Sequence, residues 1–285
     1  MLVIIGIVVV FVSIILGFTI PGGNLILLFQ ISEFITIGGA AIGSVLIASP
    51  MPLIKKIISV FPGIFKNHKS SKEDYSEMLK AFCDLFLIAQ REGLLAIEKH
   101  VENPDTSEIL SRNKKFINDP VRKNFFCDTM KVMLAGSVPP HEMENLMDAE
   151  IETFEKENHP VVEAITRVAD AMPGLGIVAA VLGIIITMAS INQGAEAVGH
   201  HVAAALVGTF LGVLLSYGFI NPMAANLALI LEEKAQDLTI IKTFILAYAK
   251  GNPPFVAAEI ARRTIFSDER PSFAELETFL RGKKE

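Results

Sequence analysis

A chain of 285 residues has room for one large domain or two small ones, and this one is 51% hydrophobic and only 20% charged. Its net charge of −6 leaves no basic stripe and excludes a nucleic-acid partner. All 25 Lys and Arg fall in two blocks, residues 55–167 and 234–284, so residues 1–54 and 168–233 carry none. A soluble protein samples its surface along the whole chain and has no reason to segregate charge in this way, whereas a membrane protein does.

A bilayer core of about 30 Å needs roughly 20 apolar residues in helical form. Residues 2–20 form the first such run, uncharged and rich in β-branched side chains. Lacking a basic start and a small-residue cleavage site, it reads as a retained span and not as a signal peptide. Residues 34–54 form a second span, with Gly39 and Gly43 at the i, i+4 spacing that lets helix backbones approach closely in lipid.

The block from 55 to 167 is helical and amphipathic. Tyr75, Met78, Leu79, Phe82, Leu85, Phe86, Ala89, Gly93 and Ile97 recur at intervals of three and four. Opposite them, Glu77, Asp84, Arg91 and Glu98 are seven apart and predict a charged ridge, either a plain solvated face or an electrostatic docking surface. A second helix is expected over 125–135, after Pro120. A third, acidic, follows Pro139 and Pro140 and runs toward the next span. Cys83 and Cys127 lie in this block and read as reduced, unbridged thiols, with no second metal ligand near either.

Residues 172–191 and 202–220 form the third and fourth spans, joined by a loop of about ten residues. Gly176 with Ala180, and Gly208 with Gly212, repeat the small-residue spacing. Ala205, Thr209, Gly212 and Ser216 line one side of the fourth helix, and Ala180 and Thr187 share a face of the third. Such faces suit a wet crevice, a partner helix or ordinary close packing, and spacing favours the last. Pro173 begins the third span and Pro222 ends the fourth, as joints or as simple helix punctuation. Residues 224–248 predict a long helix. Ser272 and Glu275 fit a capping box for a final helix to about 281.

Basic residues collect on the cytoplasmic face. Only with both termini cytoplasmic does every Lys and Arg fall inside, so the expected fold is an all-α integral membrane protein, four transmembrane helices with a large helical cytoplasmic domain. The expected segments are 1–54 (spans 1 and 2), 55–171 (cytoplasmic), 172–222 (spans 3 and 4) and 223–285 (cytoplasmic helices). Glu33 falls at the outer edge of the second span, and no carboxylate falls near the middle of any span. A titrating group for ion movement is therefore expected on another chain. The G-x-G-x-x-A pattern at 174–179 lies in a span, not after a strand, and His141-Glu142 lacks the second histidine of a zinc site, Asn145 standing there. No nucleophile–base constellation appears, so no enzyme is expected, and no cofactor.

Several strings resemble the MotA family: Pro173-Gly174-Leu175-Gly176-Ile177-Val178-Ala179-Ala180, Val207-Gly208-Thr209-Phe210-Leu211-Gly212, Tyr217-Gly218-Phe219-Ile220-Asn221-Pro222 and Glu269-Arg270-Pro271-Ser272-Phe273. Gly38-Gly39-Ala40-Ala41-Ile42-Gly43-Ser44, Met147-Asp148-Ala149-Glu150-Ile151-Glu152 and Glu102-Asn103-Pro104 add to them, and the likeness covers essentially the whole chain. It implies an inner-membrane flagellar stator subunit, five copies of which surround two copies of a single-span MotB-type partner bearing the ion-binding aspartate. Ion flow then turns the rotor through its C-ring protein FliG. By position the resemblance makes Pro173 and Pro222 the coupling prolines and Thr209 the residue facing the partner's aspartate. At Ala180 sodium-driven relatives tend to carry threonine, so alanine implies H+ as the transported ion. Glu98 and Glu150 match acidic rotor-facing positions. The family's basic rotor contact falls at Gln90 with Arg91 beside it, and one residue turns a helical side chain by about 100°. An ExbB/TolQ-type energiser of outer-membrane processes is the alternative; that group has three spans and lacks the terminal Arg-Pro-Ser-Phe.

Overall fold

A computed structural model describes residues 2–65, 69–136 and 138–281, the side chain of Gln193 excepted, and no strand occurs among them. The chain divides into two compact units, Met1–His68 with Glu157–Ile230 and Lys69–Lys156 with Leu231–Glu285. Four helical stretches are long and apolar enough to cross a membrane: Leu2–Thr19, Leu25–Ala48, Pro140–Ala189 and Ala195–Ala249.

In the first unit, α1 (Leu2–Thr19) buries none of its 18 residues. A helix apolar all round and uncovered by protein suits lipid and not water. It touches its neighbours at few points, among them Phe11 on Phe219 with ring centroids 4.9 Å apart. After a 3-10 turn at Leu25–Leu28, α2 (Ile31–Ala48) buries the stripe Glu33, Ile37 and Ala41, four residues apart. Gly39 and Gly43 fall outside that stripe and meet nothing within 4 Å of an added Cβ. The face of α2 packed within its own unit is thus the Glu33–Ile37–Ala41 stripe. The span also stops earlier than its hydropathy suggests. Pro50 forces Ser49 into extended backbone (φ −129°, ψ 132°), and a separate helix, α3 (Met51–Val60), follows.

The second unit holds a deep aromatic core. Its first helix, α4 (Lys72–Glu92), starts on a capping box: Asp74 N–H donates to Ser71 Oγ at 3.2 Å, and Ser71 N–H to Asp74 Oδ2 at 2.7 Å. It ends at Gly93, whose φ of 89° only glycine adopts readily. The expected run of apolar positions through Ile97 thus breaks at Gly93, and Glu98 opens a separate short helix, α5 (Glu98–Glu102). Two helices follow, α6 (Lys114–Asn118), capped by Asn113, and α7 (Pro120–Ala135), capped by Asp119. The second begins five residues before the expected start because proline suits a first helical position.

The longest element, α8 (Pro140–Ala189), is 50 residues, about 75 Å, and keeps both Pro160 and Pro173 inside one unbroken helix. Then α9 (Ala195–Val213) runs into a π-helical segment, Leu214–Ile220, and on into α10 (Asn221–Ala249). Pro222 therefore does not end the helix that carries the fourth span. Its ring would crowd the carbonyl of Gly218, and the wider π turn before it, with Asn221 N–H bonding back five residues to Ser216, relieves that crowding. The chain closes with α11 (Pro254–Arg262) and α12 (Phe273–Arg281). The latter has its expected capping box, with Glu275 N–H donating to Ser272 Oγ at 3.2 Å and Ser272 N–H to the Glu275 carboxylate.

Phe82 at the centre of the second unit stacks on Phe126 at 4.4 Å and meets Phe116 edge-on at 5.4 Å, while Phe86 packs on Phe244 and Tyr248. Fully burying one such ring is worth about 1.5–3 kcal/mol. Beside this core lies a buried charge pair, Arg122 with Asp237, at 6% and 1% exposure. Tyr75 Oη donates to Asp237 Oδ1 at 2.8 Å, and Arg122 Nη2 to Ser70 Oγ at 2.9 Å. Both cysteines are buried and free, their thiols pushed up by burial to about 12 for Cys83 and about 11 for Cys127, which keeps them protonated and inert.

Candidate functional site

The first unit's functional surface is built on the seam between α8 and α9. Glycine permits backbone-to-backbone contact there. A Cβ added to Gly176 would lie 2.8 Å from the Gly208 carbonyl oxygen and 3.1 Å from Gly212 Cα. One added to Gly212 would lie 2.6 Å from the Met172 carbonyl oxygen and 2.8 Å from Gly176 Cα, and one on Gly183 would collide with Ala205. The face expected on the fourth helix is consumed by this contact: Ala205 is 1% and Ser216 0% exposed, and Gly212 is buried. Thr187 is also buried, its hydroxyl turned back to the Gly183 carbonyl at 2.8 Å. Close packing, the plainer of the readings, accounts for most of the small-residue pattern.

Ala180 and Thr209 escape that burial. Both are half-buried, and both lie on the seam. The Ala180 amide nitrogen is 3.2 Å from the Cβ position of Gly208, and Thr209 Cα is 3.3 Å from that of Gly176. The two expected ion-path positions are therefore neighbours across one junction. Pro173 is half-buried inside α8, next to the Met172 carbonyl that touches Gly212, and Pro222 is exposed in the first turn of α10. Among the apolar side chains, Ile37, Ala41, Met172, Ala179, Val207 and Leu211 form the small core joining α2 to this pair.

One feature of the site was not anticipated, the burial of Glu33. Glu33 was placed at an outer edge, far from mid-span, yet its side chain is 7% exposed and Oε2 lies 2.5 Å from the Cβ position of Gly208. Gly208 is twelve residues from Glu196 and fourteen from Pro222, about 18 Å and 21 Å along the helix. Glu33 is the third residue of α2, which is about 27 Å long, so it stays at the outer end of the second span while its carboxyl reaches Gly208 of the fourth. Sequence spacing could not show this contact, because it joins α2 to Gly208 of α9 across the fold.

In the second unit, Gln90 and Arg91 are exposed in the last turn of α4, and Glu98 is exposed at the start of α5. With Gly93 between them, Glu98 does not continue the ridge of Glu77, Asp84 and Arg91. Glu150 is exposed on α8, and partial burial together with the charge of Asp128 raises its carboxyl above the usual range. Lys80, on the same polar side of α4, is already used within the chain, its ammonium donating to the last carbonyls of α12, Phe279 and Leu280, at 3.3 and 3.2 Å. The Arg122–Asp237 pair was not anticipated; an aspartate amid Leu238, Ile240 and Ile241 was the signal for it.

A polytopic helical protein whose third and fourth spans meet through glycine, joined by continuous helices to a polar helical unit, is the class these features define. Residues 117–239 match the family model of the MotA/TolQ/ExbB proton channel family, and residues 4–93 that of the motility protein A N-terminal region. Motility protein A of Salmonella typhimurium is 36% identical over 282 residues, 99% of this chain and 96% of that protein. Chemotaxis protein LafT of Vibrio parahaemolyticus is 32% identical, covering 96% of each. In fold, the chain resembles one in the structure of C. jejuni MotAB, with a TM-score of 0.79 at 21% identity, covering 95% of this chain and 98% of that one. A chain of the flagellar MotAB stator complex from Bacillus subtilis gives 0.74 at 24% identity, covering 93% and 94%. The chain belongs to the motility protein A family.

Proposed function

We propose that this chain is the A-type subunit of a flagellar stator, which with a MotB-type partner forms an ion channel and converts ion flow into torque. The observation that carries the reading is identity to motility protein A along essentially the full chain, four spans and terminal segment included. The charge distribution supports an inner-membrane protein with both termini and the second unit cytoplasmic. The conducted ion is the proton: Ala180 offers no oxygen to a sodium ion at the seam. Five copies surround two single-span partners whose carboxylate binds the ion, and the complex acts on the rotor protein FliG.

The division of labour follows. Ala180 and Thr209 face the partner and the ion path. Pro173 and Pro222, at the two places where a span passes into a continuing helix, couple ion movement to the second unit. Glu98, Gln90, Arg91 and Glu150 are exposed and available to the rotor. Each elementary charge crossing the membrane releases about 2.3 kcal/mol per 100 mV. An ExbB/TolQ-type energiser is the weaker reading, since four apolar spans and the Arg270-Pro271-Ser272-Phe273 segment count against it.

The test is rescue of swimming in cells without stators of their own, given this chain and its cognate partner in sodium-free medium. Swimming that a protonophore stops is the expected result. Recovery only on adding sodium would overturn the proton assignment, and no swimming with an assembled complex would overturn the stator reading for that rotor.

A further inference from the structure

We propose that Glu33, at the outer end of the second span, is a proton-holding site of this chain, one per copy, distinct from the carboxylate supplied by the partner. The proposal rests on the ion-conducting reading and deepens it. Glu33 is more than nine-tenths buried, and its Oε2 is sealed from solvent without a hydrogen-bond partner. That oxygen points at Gly208, whose missing side chain leaves the room it occupies, within one residue of Ala180 and of Thr209. The same stripe of α2 that buries Glu33 buries Ile37 and Ala41, so the carboxyl is held there by packing and does not hang from a loop.

Beyond the first-turn N–H groups of α2, which favour negative charge, no basic side chain stands near Glu33 to pair with it. The 25–28 turn and α1 contribute no titratable group, and Glu33 is the only one in α2. On α8 the nearest are Asp170 and Arg167, about 14 Å and 18 Å along the helix from Ala179. On α9 they are His201, His200 and Glu196, with His201 about 10 Å from Gly208. An ionised carboxylate without a partner in a dry interior is costly, and such groups accept a proton instead. Intramembrane carboxylates held in this way serve as proton relays. The step is a plain transfer. The O–H bond at the carboxyl breaks as its proton passes to the ion path beside Ala180, and the carboxylate takes the next proton from the outer side, one in and one out.

The experiment uses the full chain with its partner, reconstituted in lipid. Infrared spectra of the wild type and Glu33→Gln are compared in water and deuterium oxide, and proton uptake into vesicles is followed with a pH-sensitive dye. The wild type shows a deuterium-sensitive carboxylic-acid band that the glutamine variant lacks. Proton flux in that variant falls by about a hundredfold, the low end of what a positioned proton-transferring group contributes to a rate. Identical spectra would overturn the proposal, as would a glutamine variant conducting like the wild type. Should Glu33→Gln not assemble, Glu33→Asp decides: a shift of the deuterium-sensitive acid band assigns it to residue 33 and supports the relay, and an unshifted band refutes it. A wild-type complex showing that band but passing no protons would overturn the stator reading itself, which separates the two failures.

Discussion

Gly212→Ala tests the seam directly. The new Cβ would lie 2.6 Å from the Met172 carbonyl oxygen and 2.8 Å from Gly176 Cα, all backbone, so no side chain can swing away. Restoring an ordinary contact of about 3.4 Å to the oxygen means separating α8 and α9 by roughly 0.8 Å, and a gap of that size forfeits a quarter to a half of each facing van der Waals contact. Overpacking of this kind costs about 1–3 kcal/mol. The control is Gly174→Ala on the same helix, exposed and with nothing within 4 Å, where alanine's better helix propensity is worth up to about 1 kcal/mol. Thermal loss of helical circular dichroism in detergent should come several degrees earlier for Gly212→Ala and no earlier for Gly174→Ala. Equal melting of the two variants would refute the argument that backbone contact holds the third and fourth spans together.

Three further predictions concern the second unit and the coupling prolines. Asp237→Asn leaves the buried Arg122 charge with only the more distant Asp119 carboxylate, 3.9 Å away, and should cost up to about 3–5 kcal/mol by chemical denaturation, whereas replacing both residues by leucine should restore much of it; a double variant as unstable as the single one would count against a buried ion pair. His100, its imidazole held below the ordinary 6.5 by burial and then by Lys99, accepts the Ser107 hydroxyl proton at Nδ1, since Ser107 Oγ already receives the Ile109 and Leu110 amides. Its lowered value means the stabilising effect is full above pH 6.5 and lost as pH falls through the folded value, so wild type should lose more stability than His100→Gln between pH 7 and pH 5, and parallel curves would dismiss the idea. Pro173→Ala and Glu98→Lys should each lower torque while the complex still assembles, and normal swimming by both would sink their assignment.

What the sequence revealed and what it concealed divide along physical lines. The absence of Lys and Arg over residues 1–54 and 168–233 exposed the spans, because lipid penalises charge regardless of tertiary detail. Capping at Ser272 and Glu275 was equally legible, being a contact between residues three apart. Gly93 was misread because its apolar neighbours keep helical spacing on both sides, and only its backbone angle marks the break. Pro50 and Pro222 were opposite cases. Each stands near a span's inner end, yet one stops the helix and the other is absorbed by a π turn, a choice made by the backbone before it and invisible in composition. The burial of Glu33 was concealed most completely, since it depends on a contact with Gly208, 175 residues away in the chain.

Helix continuity gives these local features their mechanical meaning. Two of the three points where the chain passes between units, at 156/157 and 230/231, lie inside unbroken helices, α8 and α10. An α-helix transmits displacement along its axis unless its hydrogen-bond ladder is interrupted, and kinks arise at proline, at glycine or at π bulges. On the way from the seam toward those crossings, α8 carries Pro173 and then Pro160, while the fourth span carries its π segment and Pro222. Nearest the Gly176–Gly208–Gly212 contact, these interruptions are Pro173, one residue from the Met172 carbonyl in that contact, and the π segment, which begins two residues past Gly212. Restoring α-helical bonding there by Pro222→Ala should therefore stiffen the fourth span. Amide hydrogen exchange over residues 214–222 should slow while that over 205–212 stays unchanged. Unaltered exchange in the π segment would show that proline is not what holds the wide turn open.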